Sequence, residues 1–534
     1  MRHDDIRRAL AERLAALREW HRQLPAPLRR YQWETFHHAK DWLEDRSGTR
    51  RAYVEQATGL GKTVEFAAWA RFCTGLRVLV VEPTKLLVEQ TARAVVKFSG
   101  GMVGFLASLP DIRNAAGQVV AARGHRHSDI VVTTDESLGR YAHELATEFQ
   151  PHLIIFDECH WGYGEPAQGA LRHFSEAVII GFSATPDYLT VLHRPDFVSV
   201  TLDNGQQLYA APGRLAQNNF SLRLDRRTIP WGVTEGWLCP LAWGSLALDV
   251  SLEGLPVGEG EAGLDYQGKA LAKHLGRHWS QITRAVARLY QSGQYQLASR
   301  QVFAACPSQH TARELAEAMN ANGIPSACVV SDTSTKRRNR ILPAFASGAL
   351  RLLTSVNVLR EGWDVEGAEV CLMLRPFKTY VGYLQTLGRI LRPLNGKVAL
   401  VVDGRFGNTT YQPLSAPDLF LPPGMEVPAG AIILGPGTDV AGVAASPYLD
   451  SAGAGERYRV PALAGEYCTG EDGVFEADGE TWLTLNSLRR RGIAWDNPRL
   501  QVYDGLVRSR RALGNSGQLV TCYALSDILA AQRR

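Results

Sequence analysis

The chain has 534 residues, of which 45% are apolar, and its formal net charge is +4. This composition is that of a soluble globular protein, and because no run of about 18 uncharged apolar residues is present, we predict no membrane span. Since a single core rarely grows beyond about 250 residues, we expect roughly three or four domains.

Charge and cysteine usage narrow the class of protein further. A net charge of +4 is too small to indicate nucleic-acid binding by itself. The eight cysteines stand singly with no Cys-x-x-Cys pair, so we predict neither a zinc ribbon nor a disulfide framework, and a reducing cytoplasm fits. Residues 1–27 mix acidic residues with arginines, which predicts an amphipathic helix rather than a signal or transit peptide.

An aromatic residue and an amide open the next element. Tyr31 and Gln32 precede a predicted helix that reaches Leu43. A glutamine amide has a donor and an acceptor that match the N6/N7 edge of adenine, and the neighbouring ring has a face for stacking. Two surface residues at a helix start would give the same pattern, so the sequence leaves both interpretations open.

The stretch from Ala57 to Thr63 has the form of a phosphate-binding loop. It lies between a predicted strand, residues 52–56, and a predicted helix, residues 64–72, which is the context that a P-loop requires. The glycines let backbone amides approach phosphates at a helix N-terminus. We predict that Lys62 reaches the β- and γ-phosphates of ATP and that the Thr63 hydroxyl binds Mg²⁺. The predicted nucleotide-binding residues of the loop are Thr58, Gly59, Leu60, Gly61, Lys62 and Thr63.

Short apolar runs alternate with helical stretches from Arg51 onward, which predicts a parallel sheet covered by helices on both faces. Ligands of such sheets bind at the carboxyl ends of the strands, so we expect the polar residues that follow each strand to lie along one edge. The predicted strands are residues 53–56, 77–82, 130–134, 153–156 and 178–182.

Two acidic residues follow the fourth of these strands. Asp157 comes directly after the apolar run 153–156, which predicts a carboxylate that holds Mg²⁺ opposite the P-loop. Glu158 is then placed to orient or deprotonate the attacking water. The alternative is a pair of acids favoured by the dipole at a helix N-terminus.

Hydroxyl side chains follow the other strands. Ser183 and Thr185 follow the fifth strand, Thr84 follows the second, and Thr134 and Ser137 follow the third. Such groups at helix starts hold backbone phosphates of nucleic acids in some proteins and cap the helix in others. For each residue taken singly, the sequence favours the cap.

The α/β alternation is interrupted and then resumes. Residues 191–280 are rich in glycine and turn signals and are predicted to form a connector, whose Trp231, Trp237 and Trp243 fit core packing better than base stacking. A second α/β sheet is predicted from the strands that follow, which are residues 301–305, 327–330, 351–355, 370–374 and 398–402.

A second phosphate-type cluster lies in this second sheet region. Gln385, Arg389 and Arg392 are spaced by four and three residues, so on a helix they share one face. Two arginines aimed together at an anion suit the transition-state charge on a γ-phosphate. The alternative is a solvated basic face.

These blocks, in this order, resemble the superfamily-2 helicases, and within them the branch of type I and III restriction motors and excision-repair helicases. The resemblance covers residues 28–403 and implies two tandem RecA-like domains, residues 28–190 and 281–404. It implies that Arg389 and Arg392 complete the ATP site, with Arg392 as the arginine finger, and that Gln385 links to His160. His160, Ser183 and Thr185 would couple ATP state to movement.

The resemblance extends to a segment upstream of the arginines. Gly362 and Asp364 would couple the nucleotide and nucleic-acid sites, as in the fifth helicase motif. Many relatives have a threonine six residues before this glycine, whereas this chain has Val356. A backbone contact expected from that threonine is therefore in doubt.

The C-terminal quarter is less regular. Residues 405–480 are rich in Gly, Pro and Ala and are predicted to form a linker or a small loop-rich module. Residues 481–534 are predicted to form a basic accessory domain with a helix over 483–491 and a hairpin, an arrangement that a winged-helix-like duplex-binding unit would share. A plain accessory domain with a solvated arginine face fits equally.

Taken together, the sequence predicts an ATP-dependent DNA helicase or translocase that uses ATP and Mg²⁺ in the cytoplasm. The alternatives are an RNA helicase, because the core motifs do not separate DNA from RNA, and a nucleotide-controlled binding subunit of a restriction or defence complex. We find no nuclease constellation, so cleavage would come from a nuclease or modification partner subunit.

Overall fold

The computed structural model gives two compact units, and most of the chain is described. The first unit comprises 1–187 and 213–238, and the second comprises 188–212, 239–357 and 365–534. None of the described helices is long and apolar enough to cross a membrane. The described residues are 1–16, 24–45, 51–125, 128–160, 169–186, 189–194, 197–210, 220, 222–260, 263–356, 365, 367–394, 396–407, 413–435, 446–448, 457–461, 466–467, 473–477, 480–491, 493, 507–513 and 519–532.

The α-helices are α1 His3–Ala15, α2 Arg30–Glu44, α3 Lys62–Phe72, α4 Lys85–Ser99, α5 Asp135–Glu144, α6 Ile229–Thr234, α7 Gly268–Arg277, α8 Trp279–Gln291, α9 Gln309–Ala321, α10 Thr335–Ala346, α11 Tyr380–Leu387, α12 Ala416–Phe420, α13 Leu485–Arg490 and α14 Leu525–Gln532. Irregular helical turns are Leu145–Phe149, Gln294–Ser299 and Gly388–Ile390. The strands are β1 Arg51–Gln56, β2 Val78–Glu82, β3 Val103–Leu106, β4 Ile112–Arg113, β5 Val119–Arg123, β6 Ile130–Thr134, β7 Leu153–Phe156, β8 Val178–Ser183, β9 Leu189–Thr190, β10 Leu192–His193, β11 Val198–Thr201, β12 Gln207–Ala210, β13 Leu222–Arg227, β14 Leu241–Leu248, β15 Val257–Gly260, β16 Gly263–Tyr266, β17 Val302–Cys306, β18 Ser326–Cys328, β19 Leu352–Val356, β20 Val370–Met373, β21 Ala399–Phe406, β22 Glu426–Pro428, β23 Ile432–Leu434, β24 Arg457–Arg459, β25 Glu466–Tyr467, β26 Val474–Ala477, β27 Glu480–Thr484, β28 Ser509–Leu513 and β29 Leu519–Ala524.

The first unit is built on a nine-stranded sheet with the order β13-β1-β8-β7-β2-β6-β3-β5-β4. Every neighbouring pair is parallel except β4 and β5. All five strands predicted for this sheet are present. Strands β3, β4 and β5 were not predicted from the sequence. They follow one another without intervening helices, whereas the prediction relied on strands that alternate with helices.

Alternate residues of the central strands pack into two opposite layers. Val78 and Val80 of β2 pack with apolar residues of α3 and α4, whereas Leu79 and Val81 pack with apolar residues of α5. All residues of β2, β7 and β8 are buried, as expected for strands covered on both faces. The predicted α/β fold with helices on both faces of a parallel sheet is confirmed for this unit.

The second unit contains a seven-stranded sheet with the order β18-β19-β17-β20-β21-β14-β23, which is parallel except for the edge pair β14 and β23. All five strands predicted for it are present. The second parallel α/β sheet confirms the predicted tandem arrangement.

The segment predicted as a connector, residues 191–280, contributes to both sheets. Its strand β13 pairs with β1 in the first unit, and its strand β14 pairs with β21 in the second. The predicted linker, residues 405–480, also supplies strand β23, which pairs with β14. These strands could not be predicted from the sequence pattern because they lie outside the alternation of strands and helices in each unit.

Near the C-terminus the described residues form two ββα repeats. Strands β26 and β27 lead directly into α13, and β28 and β29 lead directly into α14, in one antiparallel sheet of order β26-β27-β29-β28. The predicted hairpin is present as β28 and β29, but β27 runs to Thr484, so the predicted helix 483–491 begins only at Leu485. This four-stranded sheet with two helices replaces the winged-helix-like arrangement.

A cluster of buried acids lies at β21 and α12. Asp403 is 3% exposed and accepts hydrogen bonds from Trp243 Nε1 at 3.0 Å and from the Tyr383 hydroxyl at 2.7 Å. Asp418 accepts a hydrogen bond from the Tyr458 hydroxyl at 2.7 Å, yet burial raises its pKa to about 7. Trp243 therefore serves the core, as the sequence favoured.

The Asp418 carboxyl predicts a pH dependence of stability. Its pKa is about 7 in the fold against an ordinary value of 3.8, so the folded state holds an extra proton between those values. The free energy of unfolding therefore falls as the pH rises from about 4 to about 7. We expect Asp418→Asn to remove this contribution, which amounts to at most about 4 kcal/mol. Urea unfolding of both proteins at several pH values measures it, and equal pH dependences would contradict it.

Candidate nucleotide site

The loop between β1 and α3 has the backbone of a phosphate cradle. Gly59 and Gly61 have positive φ angles of +92° and +89°, and α3 begins at Lys62 directly after them. A Cβ atom at Gly61 would lie 3.2 Å from the side-chain nitrogen of Gln32. The chain thus needs glycine here for both the backbone conformation and the close approach.

Three side chains hold the loop by donating hydrogen bonds to its backbone carbonyls. The Tyr31 hydroxyl and Gln56 Nε2, the latter at 3.2 Å, donate hydrogen bonds to the carbonyl of Leu60. Gln32 Nε2 donates to the carbonyl of Gly61 at 3.3 Å. These bonds fix the loop before any ligand binds, since backbone carbonyls that turn inward need donors.

Replacing Gly61 by alanine is expected to weaken ATP binding about tenfold, because a left-handed conformation costs an L-residue roughly 1–2 kcal/mol and the new methyl group displaces Gln32. Gly100 is a matched control: its φ is +69° and a Cβ atom there meets nothing within 4 Å. Both alanine variants should lose similar thermal stability. Equilibrium binding of a fluorescent ATP analogue should weaken only in Gly61→Ala, and equal binding by the two would contradict this account.

Tyr31 is 1% exposed, and its ring contacts two tryptophans of the segment predicted as a connector, residues 191–280. The ring centroids of Trp231 and Trp237 lie 5.2 Å and 5.4 Å away, both edge to face. Packing of these two tryptophans is what the sequence favoured. In this structure the Tyr31 ring is enclosed, so stacking of adenine on it requires the tryptophans to move; its role and that of Gln32 in adenine recognition stay predictions.

The P-loop lysine contacts both predicted acids. Lys62 Nζ lies 3.2 Å from Asp157 Oδ1 and 2.7 Å from Glu158 Oε1. Burial lowers the pKa of Lys62, but the two carboxylates outweigh burial and raise it above its ordinary value. Burial also raises the pKa of Asp157, which the lysine opposes. The structure thus brings together the three residues predicted to act on ATP.

Glu158 has a positive φ of +47°, which is uncommon for a residue other than glycine. Such conformations cost about 1–3 kcal/mol and persist where the surrounding structure holds them. Here the backbone N of Cys159 donates to the carbonyl of Phe182 at 2.9 Å, which fixes the turn. The strained turn presents the Glu158 carboxylate beside Lys62.

His160 continues the contacts from Glu158 toward β8. Its Nδ1 lies 3.3 Å from Glu158 Oε2 and 2.7 Å from the Ser183 hydroxyl, and the backbone N of Thr185 donates to that hydroxyl at 3.1 Å. Burial lowers the pKa of His160 to about 4, so the ring is neutral at pH 7. The three predicted coupling residues therefore form one connected group with the second acid.

The candidate nucleic-acid contacts in the first unit are helix caps. The Thr84 hydroxyl accepts a hydrogen bond from the backbone N of Leu87 at 3.3 Å and begins α4. The Thr134 hydroxyl accepts one from the backbone N of Ser137 at 3.1 Å and begins α5. Both caps follow carboxyl ends of strands, and the cap interpretation is confirmed for Thr84 and Thr134.

The second unit differs from the prediction at its arginines. Helix α11 ends at Leu387 and is followed by a tighter turn, Gly388–Ile390, so Gln385, Arg389 and Arg392 do not share one face of a helix. The proline at position 393 disfavours helical backbone at Arg392, so the helix does not resume after this turn. Gln385 is buried and Arg392 is exposed.

Two predicted residues lie outside the part of the chain that the structure describes. They are Gly362 and Asp364, of the segment predicted as the fifth helicase motif. Their role in coupling stays a prediction.

The residues at the loop fit a magnesium ion. Mg²⁺ prefers oxygen ligands, and Asp157 and Thr63 supply a carboxylate and a hydroxyl. Asp157 Oδ1 is buried and has no hydrogen-bond partner within the described ranges, and the Lys62 ammonium lies 3.2 Å away. A buried carboxylate oxygen in this condition favours a cation, so these two residues would hold the ion.

Sequence reasoning missed one buried acid at this edge. Glu82 ends β2 and is 1% exposed, and burial and then Asp157 raise its pKa well above its ordinary value. The only signal in the sequence is a charged residue at the end of an apolar run, which also fits an exposed strand end.

Two regions of the chain match known protein families, and each region contains strands of one of the two large sheets. Residues 26–188 match the family described as type III restriction enzyme, res subunit. Residues 284–393 match the helicase conserved C-terminal domain. Both units therefore contain regions of helicase type, and such domains imply ATP use.

Individual relatives are more distant. The chain is 24% identical over 331 residues to a 51.5 kDa protein of a Lactococcus phage, covering 62% of this chain and 63% of that protein. It is 23% identical over 393 residues to a candidate ATP-dependent helicase of Saccharomyces cerevisiae, IRC3, covering 70% of this chain and 51% of that protein. The chain thus spans between half and two thirds of the length of these relatives.

Among solved structures, the DNA-bound type ISP restriction–modification enzyme LlaBIII is similar with a TM-score of 0.49 and 17% identity, covering 71% of this chain and 28% of that one.

Proposed function

We propose that this chain is an ATP-driven motor that moves along DNA, of the restriction-enzyme-like superfamily-2 helicase type that its two family matches indicate. The observation that carries this proposal is the contact of Lys62 with both Asp157 and Glu158 at the end of the P-loop. This set supplies a phosphate-binding cation, a metal-binding acid and a base within one buried site.

ATP binding would rearrange the contacts of Lys62. The ammonium now neutralises two carboxylates, and the β- and γ-phosphates compete with them for it. Once the lysine turns to the phosphates, Asp157 is available to Mg²⁺ together with Thr63, and Glu158 is available to water. When bound, Mg²⁺ neutralises charge between the β- and γ-phosphates.

Hydrolysis follows from the position of Glu158. A water oxygen attacks the γ-phosphorus, the bond from phosphorus to the bridging oxygen of ADP breaks, and Glu158 accepts the proton of the water. The resemblance assigns charge stabilisation in this step to Arg389 and Arg392 of the second unit, with Arg392 as the finger.

Coupling to movement would start at the same glutamate. His160 contacts both Glu158 and Ser183, so loss of the γ-phosphate changes the surroundings of a buried, connected group. Gln385, Gly362 and Asp364 would extend this coupling in the second unit. Alternating grip on the phosphate backbone, with Thr84, Thr134 and Ser137 among the contacts, turns hydrolysis into directional movement.

DNA is the preferred track because the helicase branch that the sequence resembles acts on duplex or branched DNA, and the basic C-terminal region could add a duplex contact. The resemblance also points to a nuclease or modification partner for any cleavage. We place the motor domains at residues 28–190 and 281–404 and the protein in the cytoplasm.

The test is the rate of ATP hydrolysis without nucleic acid and with single-stranded DNA, duplex DNA, a forked junction and RNA, across a salt series that exposes electrostatic binding. Strong stimulation by DNA and little by RNA is the expected result. Stimulation by RNA alone would overturn the choice of track. No stimulation, with ATP-dependent binding of DNA, would identify a nucleotide-controlled binding subunit instead of a motor.

A further inference from the structure

Glu82 lies beside Asp157 because of the register between their strands. β2 and β7 are parallel neighbours in which Val81 pairs with Phe156. The backbone N of Asp157 donates to the carbonyl of Val81 at 2.9 Å, which extends this register past the end of β7. The next residues along the two segments, Glu82 and Asp157, are therefore adjacent.

Both carboxylates continue the same face of the sheet. In β2, Val80 packs in the layer of α3 and α4, and two residues on, Glu82 points to that layer. In β7, Ile155 packs in the same layer, and Asp157 follows two residues later. The two acids are thus neighbours beneath the P-loop helix and the following helix.

Glu82 is held by one hydrogen bond from α4. The Thr91 hydroxyl, which is 0% exposed, donates to Glu82 Oε1 at 2.5 Å. The other oxygen, Oε2, is buried with no hydrogen-bond donor among the described residues. Leaving a buried polar group partly unsatisfied is costly, so an apolar side chain would serve a purely structural role better.

The same helix carries a candidate nucleic-acid contact. Thr84 caps α4, and only Pro83 separates it in the chain from Glu82. Thr91 lies two turns further along α4. A displacement of α4 therefore moves both the end of the strand that carries Glu82 and the hydroxyl that holds it.

We propose that Glu82 is a positioning residue: it orients the Asp157 carboxylate for the metal–nucleotide complex and, through Thr91, ties that orientation to helix α4. Asp157 lies between the Lys62 ammonium and the Glu82 carboxyl group, and these two neighbours direct its oxygens. Groups that contact a metal-binding carboxylate from behind commonly set its orientation and metal affinity.

The link from α4 to nucleic acid rests on the proposed function, whereas the orienting role does not. The alternative for Glu82 is a buried acid that only supports the core. That alternative predicts changes in thermal stability alone, without a change in the magnesium concentration that nucleotide binding requires.

Three variants test the orienting role. Thr91→Val removes the hydroxyl donor and keeps the shape, Thr91→Ser keeps the donor, and Glu82→Gln keeps an oxygen for Thr91 but replaces the carboxyl group beside Asp157 by an amide. The readout is the Mg²⁺ concentration that half-saturates equilibrium binding of a fluorescent ADP analogue, which needs neither turnover nor nucleic acid.

We expect Thr91→Val and Glu82→Gln to raise the half-saturating Mg²⁺ roughly tenfold and Thr91→Ser to stay close to the wild-type value. Melting temperatures establish that each variant is folded, and Glu82→Gln alone decides the matter should Thr91→Val not fold. Wild-type Mg²⁺ dependence in folded Glu82→Gln would overturn the orienting role.

The link to α4 is tested by adding a saturating single-stranded DNA oligonucleotide to the same titrations. In the wild type and Thr91→Ser, DNA should shift the half-saturating Mg²⁺, and in Thr91→Val the shift should disappear. An equal shift in all three would overturn the link through Thr91. No shift in the wild type would overturn the coupling to nucleic acid, and with it the motor, while the DNA-free titrations still decide the orienting role.

Discussion

Replacing Glu158 by glutamine is expected to reduce ATP hydrolysis by about 10²- to 10⁴-fold while leaving ATP binding near the wild-type value. Glutamine keeps an oxygen for Lys62, whose Nζ lies 2.7 Å from Glu158 Oε1. It cannot accept a proton from the attacking water. Its backbone cost at a φ of +47° equals that of glutamate, so the fold should be unaffected. Single-turnover hydrolysis and equilibrium binding of ATP measure the two effects.

Asp157→Asn is the matched comparison for this prediction. The substitution has the same chemistry one residue earlier, but it weakens a metal ligand rather than the base. We expect it to weaken Mg²⁺-dependent ATP binding, which Glu158→Gln should leave intact. Equal loss of nucleotide binding in the two variants would show that the acids act as one charge cluster and would contradict the separate roles.

The first unit could be predicted closely from the sequence because its signals are local. The P-loop lies between a strand and a helix, as its glycines and flanking apolar runs indicated, and Asp157 follows a fully buried strand. Parallel strands bring their carboxyl ends to one edge, so the Lys62 contact with Asp157 follows from topology.

Other features depend on residues that are distant in the chain, so they could not be predicted from local sequence patterns. The pairing of β13 with β1 and of β14 with β21 joins segments separated by about two hundred residues or less, with no periodic pattern to reveal them. The position of Glu82 beside Asp157 follows only from the register of β2 against β7. The end of α11 at Leu387 was not predicted, because the spacing of Gln385, Arg389 and Arg392 fits a continued helix equally well.

The ending of α11 bears on which arginine acts as the finger. Beyond the helix, the carbonyl of Leu391 accepts a hydrogen bond from the backbone N of Cys239 at 3.0 Å. The carbonyl of Arg392 accepts one from Lys397 Nζ at 3.1 Å. The backbone around Arg392 is thus held in place while its side chain is exposed, whereas Arg389 is half-buried. A held backbone with an exposed guanidinium suits a residue that must reach a phosphate.

Arg392→Ala is therefore expected to spare ATP binding and to lower hydrolysis by about 10³- to 10⁵-fold, the range that arginine fingers contribute. Arg392→Lys should recover little, because a single ammonium does not reproduce the planar fork of donors. Arg459→Ala, which removes an exposed arginine from β24 of the same unit, is the control for loss of charge and should hydrolyse ATP normally. Single-turnover rates at saturating ATP give the comparison. Normal hydrolysis by Arg392→Ala would contradict the assignment of the finger to Arg392.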